Sequence, residues 1–370
     1  MKQLQRVTGL GPLQSLIDEE RVTEVMVNGP DRVYVEVAGT LYRTAVRFSS
    51  EAELRELIQH IVATVGRHID EHSPLCDARL LDGSRVNATL PPISIDGPTL
   101  TIRKFARDRL RVDDLIRLGT GTVSMFGFLH GCVLARANVL ISGGTGTGKT
   151  TLLNVLSGYI PVSDRVVTIE DAAELQLHQD HVVRLEARPP NQEGAGRVDI
   201  RELVINSLRM RPDRIVVGEC RGAEAMDMLQ AMNTGHDGSM STVHANRPRD
   251  ALSRLETMVL MAGLDLPLKA VRQQIAAAID IIVQVERLRD GSRKVVDVVE
   301  LVGMEDETIT LQDIFRFRAL GNDEEGAIKG TIEPTGLRPR IIDRLFDMGL
   351  EMPQEIRDLF PDARDPALAW

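Results

Sequence analysis

The stretch GGTGTGKTT at 143–151 sets Gly143, Gly148, Lys149 and Thr150 on the spacing G-x-x-x-x-G-K-[ST]. Glycines let a backbone fold around an anion, with amide N–H groups and a helix N-terminus aimed at phosphates. In this reading Gly143, Gly144, Thr145, Gly146, Thr147, Gly148, Lys149, Thr150 and Thr151 bind ATP. Lys149 reaches the β- and γ-phosphates, and the Thr150 hydroxyl binds Mg2+. A random chain of this length meets the pattern on the order of one time in a hundred. The apolar run before it and the helical pattern after it make chance a weaker explanation still.

Phosphate chemistry also needs acids. Two apolar stretches end in them: RVVTIED delivers Glu170 and Asp171, and RIVVGE delivers Glu219. Acids sit at strand ends for solvation alone, but Glu219 closes its strand abruptly in Gly-Glu-Cys-Arg. A glutamate there can hold a metal-bound water or polarise the nucleophile without ligating Mg2+ directly.

Residues 233–246, NTGHDGSMSTVHAN, carry His236 and His244 among glycines and hydroxyls. The second half reads as a strand one helix beyond Glu219, able to pair in parallel with the RIVVGE strand. His244 then falls at the crevice where open α/β sheets bind ligands. His236 precedes the strand, so it either reaches phosphate by another turn or serves structure. Both suit a γ-phosphate sensor, since a histidine donates a hydrogen bond to phosphate oxygen. Zinc is the competing reading, and no nearby cysteine completes its ligand set. The groups His68, His72, Cys76 and His178, His181 read as surface residues.

The elements that must position these groups follow from periodicity. Short β-branched runs (VTEVMVN, RVYVEV, LYRTAVRF) and TLTIRKF predict strands, with a tight turn at Asp82-Gly83. SSEAELRELIQHIVATVGRH has helical spacing, opened by a capping box from Ser50 and Glu53. Residues 1–105 therefore predict an α+β domain, and 106–118 a charged helical linker. From 119 to 300 buried strands alternate with helices, predicting a mostly parallel α/β sheet covered on both faces. A hairpin turns at Asp290-Gly291. Residues 301–370 predict a mixed, partly helical extension.

Composition bounds the function. The net charge of −10 and 3% aromatic residues disfavour non-specific nucleic-acid binding and base-stacking platforms. Three scattered cysteines, Cys76, Cys132 and Cys220, predict a reducing compartment without a disulfide framework. No signal-peptide pattern or transmembrane run is found, so the sequence predicts a cytoplasmic protein that meets a membrane through partners.

Taken together, GGTGTGKTT, TIEDAAEL, RIVVGECRG and GHDGSMSTVHAN resemble the phosphate loop, Asp box, Walker B strand and His box of the type II/IV secretion ATPase superfamily. DARLLDGSRVNA, DGPTLTIRKF, VVRLEARPPNQEGAG and LRMRPDRIVVGECRGAEAMDMLQAMNTGHDGSMSTVHAN look like its CpaF/TadA branch, the motors of tight-adherence (Flp) pili. The likeness runs over about residues 15–360. It implies a RecA-like P-loop ATPase domain behind a smaller N-terminal domain, a homo-hexamer, ATP with Mg2+, and inner-membrane pilus platform proteins as partners. It also implies that Glu170 and Glu219 share activation of water, and that Arg103 in TIRKF reaches the nucleotide from the N-terminal domain. Arg209, Arg211 and Arg221 are further charge partners or plain ion pairs. Many members of the branch carry a long N-terminal extension, which this chain is expected to lack. The tetracysteine module of type II relatives is missing too.

Three function classes are compatible with such a loop. They are a mechanical motor for pilus assembly or secretion, a DNA-linked secretion ATPase or nucleic-acid translocase, and a small-molecule kinase. Acidity and few aromatics disfavour the second, and the histidine stretch has no evident use in the third. Extension and retraction motors are not separated by any residue.

Overall fold

The computed structural model describes residues 9–37, 39–105, 110–190, 195–323, 326–351 and 353–360. Residues 106–109, where the charged linker begins, 191–194 of the Pro- and Gly-rich stretch, and 361–370 lie outside them. The chain divides into two compact units, Met1–Arg109 and Leu110–Trp370.

The first unit is an antiparallel sheet carrying a helix. Its strands are β1 (Val22–Asn28), β2 (Val33–Val37), β3 (Thr40–Arg43), β4 (Leu75–Arg79), β5 (Arg85–Thr89) and β6 (Thr99–Arg103). They lie in the order β3-β2-β1-β6-β5-β4. A short α1 (Gln14–Asp18) precedes β1, and α2 (Glu51–Ala63) crosses one face. Period-2 alternation sends Val25, Val27, Leu100, Ile102, Val86 and Ala88 inward against Leu54, Ile58 and Ile61 of α2. Each such valine, leucine or isoleucine, fully buried, contributes about 1.5–3 kcal/mol. Ser50 caps α2 by accepting from Glu53 N at 3.2 Å. The returning half of the expected box is displaced by one residue, because Glu53 Oε2 accepts from Ser49 N at 2.7 Å.

The second unit is built on a nine-stranded sheet. Its strands are β7 (Val139–Gly143), β8 (Val166–Glu170), β9 (Val182–Glu186), β10 (Arg214–Cys220), β11 (Met240–Val243), β12 (Ile281–Arg287), β13 (Arg293–Glu305), β14 (Thr308–Asn322) and β15 (Ile328–Pro334). The order is β15-β14-β13-β12-β7-β11-β10-β8-β9. From β12 to β9 every neighbouring pair is parallel. The last three strands add in antiparallel fashion. Helices cover both faces: α3 (Val112–Arg117), α4 (Val123–Leu134), α5 (Lys149–Ser157), α10 (Ile341–Asp347) and α11 (Gln354–Arg357) on one, and α6 (Ile200–Ser207), α7 (Glu224–Asn233), α8 (Pro248–Met261) and α9 (Leu268–Ala278) on the other. Alternation within β7 decides which core each residue enters. Val139 and Ile141 join the first, and Leu140 the second.

Two segments differ from simple periodicity. Leu115 of α3 is buried in the second unit's core, and Val295 N donates to Thr120 O at 2.8 Å, so the helical stretch after 110 is packed rather than loose. Thr308–Asn322 and Ile328–Pro334, read from sequence as mixed, are two strands that lengthen the sheet. Register shifts at Val298/Val299, Leu301/Gly303 and Ala319/Gly321 interrupt the alternation that would have revealed them.

Candidate nucleotide-binding and hydrolysis site

Parallel strands place their carboxyl ends on one edge. There β7 ends at Gly143, β11 at Val243, β10 at Cys220 and β8 at Glu170. The loop from β7 closes on the N-terminus of α5, whose first residue is Lys149. Gly146 and Gly148 take φ of +70° and +97°, which side chains adopt only with strain. A Cβ on Gly143 would lie 2.6 Å from both Thr147 Oγ1 and Val285 O, so the loop's first position admits glycine alone. Thr147 Oγ1 and Lys149 Nζ each donate to Gly144 O at 2.9 Å, curling the loop on itself. Thr145 and Gly146 are exposed, and Thr150 and Thr151 are half-buried at the start of α5. Amide-lined curvature, a helix N-terminus and a lysine fit a polyphosphate, and the Thr150 hydroxyl is the donor that fits its Mg2+. Burial lowers the Lys149 ammonium below its ordinary range, while Glu219 opposes that shift and Arg221 adds to it. The three side chains therefore share one electrostatic neighbourhood.

Glu170 is almost wholly enclosed, at 3% exposure. Its Oε1 accepts from Glu174 N at 2.8 Å and Leu175 N at 2.9 Å. Its Oε2 is buried without a hydrogen-bond partner. Burial pushes this carboxyl above the ordinary glutamate value, the two amides pulling back only in part. A buried acceptor with one oxygen spare suits a group that takes a proton from water.

Glu219 is aimed by an irregularity. Between Val217 and Cys220, β10 spends three steps where β11 spends two, from Ser241 to Val243. Such a bulge re-aims side chains and often stands beside active sites. Thr242 Oγ1 donates to Gly218 O at 2.7 Å and satisfies the displaced carbonyl. Gly218 is also required sterically, since a Cβ there would lie 2.8 Å from Glu170 Cγ. Glu219 itself is ion-paired: Arg221 Nη2 stands 2.6 Å from its Oε2, and Arg221 Nη1 3.0 Å from Asp171 Oδ2.

The histidines separate. Val243 pairs with Ser142, so His244, the next residue, comes level with Gly143 at the carboxyl edge. Ser142 Oγ and Gln284 Nε2 donate to Ala245 O at 3.4 Å and 3.3 Å, holding the chain just past His244. His236 is at the opposite, amino edge. Its carbonyl accepts from Ser239 Oγ at 2.7 Å, and that hydroxyl in turn accepts from Ile215 N at 3.1 Å. Of the two expectations for His236, reaching phosphate by another turn or serving structure, this place agrees with the second. A four-residue strand spans about 13 Å, and His236 lies before it. Arg209 and Arg211 also precede β10 at that amino edge, and of the three arginines considered only Arg221 joins the acids.

Arg103 ends β6 of the first unit, exposed, in register with Arg85 on one side and Glu24 on the other. Arg79 is in register with Arg85, so Arg79, Arg85 and Arg103 form a cationic row across three strands. Nothing in the spacing of TIRKF alone announced that row. Arg293 was missed as well. Its Nε donates to Gly146 O at 2.9 Å, bracing the phosphate loop from β13. The only sequence signal was its place just past the Asp290-Gly291 turn, which becomes informative once β12 is known to flank β7.

Other groups read as surface from sequence are accounted for locally. His68 Nε2 is 2.8 Å from Asp70 Oδ2, and His181 contacts Arg165. Cys76, read as a surface residue, is instead buried, and like the buried Cys132 and Cys220 it is a free thiol. Among the described residues no helix is long and apolar enough to cross a membrane.

Known proteins are similar to this chain. Residues 6–323 match the family described as type II/IV secretion system protein. A Mycobacterium tuberculosis protein named for conjugal transfer is 38% identical over 335 residues, covering 85% of this chain and 95% of that one. VirB11 of Agrobacterium fabrum is 32% identical over 303 residues, covering 74% and 87%. The structure of the pilus retraction motor PilT with bound ADP superposes with a TM-score of 0.57 at 16% identity, over 97% of this chain and 98% of that one. The fold is accordingly the RecA-like α/β arrangement with a preceding N-terminal domain, and the chain belongs to the type II/IV secretion system protein family.

Proposed function

We propose that this protein is the ATP-hydrolysing subunit of a motor for pilus assembly or secretion, of the tight-adherence pilus kind. It would act as a homo-hexamer, cytoplasmic and held to the inner membrane through pilus platform proteins. The observation that carries the reading is the convergence, on one sheet edge, of the Lys149 loop with the spare buried oxygen of Glu170 and the bulge-directed Glu219.

The residues divide the work. Residues 143–151 hold the phosphates, with Thr150 on Mg2+, and the metal supplies charge neutralisation at the transferred phosphoryl group. Glu170, its carboxyl raised by burial, takes a proton from the attacking water, and Glu219 orients that water. His244 donates to the γ-phosphate and loses its partner on hydrolysis, which makes it a sensor. His236 braces the strand that carries His244. Arg103, with Arg79 and Arg85 behind it, closes on the nucleotide when ATP binds, so that hydrolysis and reopening move the N-terminal domain.

A second reading is favoured by one finding: the Mycobacterium tuberculosis relative is named for conjugal transfer. In that reading the motor serves a DNA-linked secretion system. Phosphate release measured with and without single-stranded DNA, alongside particle mass with a non-hydrolysable ATP analogue, separates the two. Six-subunit particles whose activity ignores DNA support the pilus motor. Strong stimulation by DNA replaces it with the translocase, and monomers under all nucleotide conditions refute the ring.

A further inference from the structure

Arg221 is tied down at its backbone and exposed at its tip. Its N–H and that of Gly222 donate to Glu224 Oε1 at 2.6 Å and 2.9 Å, fixing the Cα just before α7. The side chain, 61% exposed, spans two carboxylates from different strand ends, Glu219 at 2.6 Å and Asp171 at 3.0 Å. Two carboxylates brought together by the fold repel, and a guanidinium with five donors in a rigid fork suits the gap between them. Glu219 is also one of the two acids assigned above to water activation, and a hydrogen bond of 2.6 Å to a cation occupies the oxygen that would do it.

Resting on the ATPase reading above, we propose that Arg221 is a placeholder cation. It holds Glu219 against Asp171 while no nucleotide is bound, and it releases Glu219 when Mg2+ and phosphates bring their own charges to the same edge. Arg221 is a positioning residue in this scheme: it keeps the acid oriented and idle until substrate arrives. The consequence is competition. Arg221 and Mg2+ oppose each other for the charge of Glu219, so the metal requirement of nucleotide binding contains the cost of breaking this pair.

The test reads binding, apart from turnover. A fluorescent ATP analogue is titrated onto the full chain at a series of Mg2+ concentrations, for wild type, Lys149→Ala, Arg221→Ala and Asp171→Asn. Exposed ion pairs of this kind are worth a few-fold in an equilibrium, so Arg221→Ala should lower the half-saturating Mg2+ by about two- to fivefold. Asp171→Asn, which cuts one arm, should shift it in the same direction by less. An unchanged or raised Mg2+ requirement in Arg221→Ala overturns the proposal, whatever happens to the hydrolysis rate. Should Arg221→Ala fail to fold, Arg221→Gln and Asp171→Asn decide by the same criterion. Wild-type binding that does not depend on Lys149 would instead overturn the ATPase reading itself, a result visible before any Arg221 variant is compared.

Discussion

Replacing Gly218 by alanine should damage Glu170 without touching it chemically. The added Cβ would stand 2.8 Å from Glu170 Cγ and 3.5 Å from its Cβ and Oε1. Glu170 cannot retreat cheaply, because its Oε1 is held by two amides in a site only 3% exposed. Forcing a methyl into such packing costs about 1–3 kcal/mol. For a unit of this size each kcal/mol lowers the melting temperature by about 2–4 °C, so Gly218→Ala should melt roughly 2–12 °C below wild type. The assay is a double-mutant cycle by thermal unfolding: wild type, Gly218→Ala, Glu170→Ala and the double variant. Truncating Glu170 at Cβ removes the 2.8 Å contact and leaves one of 3.5 Å, ordinary van der Waals distance. In that background Gly218→Ala should be nearly neutral, giving a coupling of about 1–3 kcal/mol. An equal drop in both backgrounds would refute the claim that Gly218 is small for the sake of Glu170.

Three further outcomes are expected. Glu170 has its carboxyl raised from the ordinary value of 4.5, so the native state pays nothing for it below that pH and loses stability as rising pH ionises it. Glu170→Gln, neutral throughout, should therefore gain on wild type in melting temperature as pH rises above about 4.5; a gap independent of pH contradicts the raised value. Arg293→Ala removes the donor to Gly146 O and should weaken binding of a fluorescent ATP analogue by roughly two- to tenfold, with the fold intact by circular dichroism. His244→Ala should slow phosphate release at saturating ATP, whereas His236→Ala should act on melting temperature; the reverse pattern would put His236, not His244, at the phosphate.

Much of the site was legible because each piece has a short-range signature. The phosphate loop needs glycines at fixed steps, the acids sit at the ends of apolar runs, and a strand one helix after Glu219 pairs in parallel by the ordinary rule of right-handed crossovers. What escaped depends on register. Sequence put His244 at the crevice but left His236 between phosphate and structure, and only the four-residue strand between them sets the two at opposite edges of the sheet. The bulge at Gly218 and Glu219 is invisible until two strands are aligned. Arg293 acts on a loop 147 positions earlier in sequence, a contact created only by the placement of β12 and β13 beside β7. In the fold, the strands of 308–334 were missed because their irregular register erases the alternation by which strands announce themselves.

The most direct measurement is steady-state phosphate release from ATP and Mg2+ by the purified chain, beside Lys149→Ala and Glu219→Gln. The account predicts turnover in wild type, abolished by Lys149→Ala and reduced on the order of a hundredfold or more by Glu219→Gln. Turnover that survives in Lys149→Ala, or none in wild type with nucleotide bound, would contradict it.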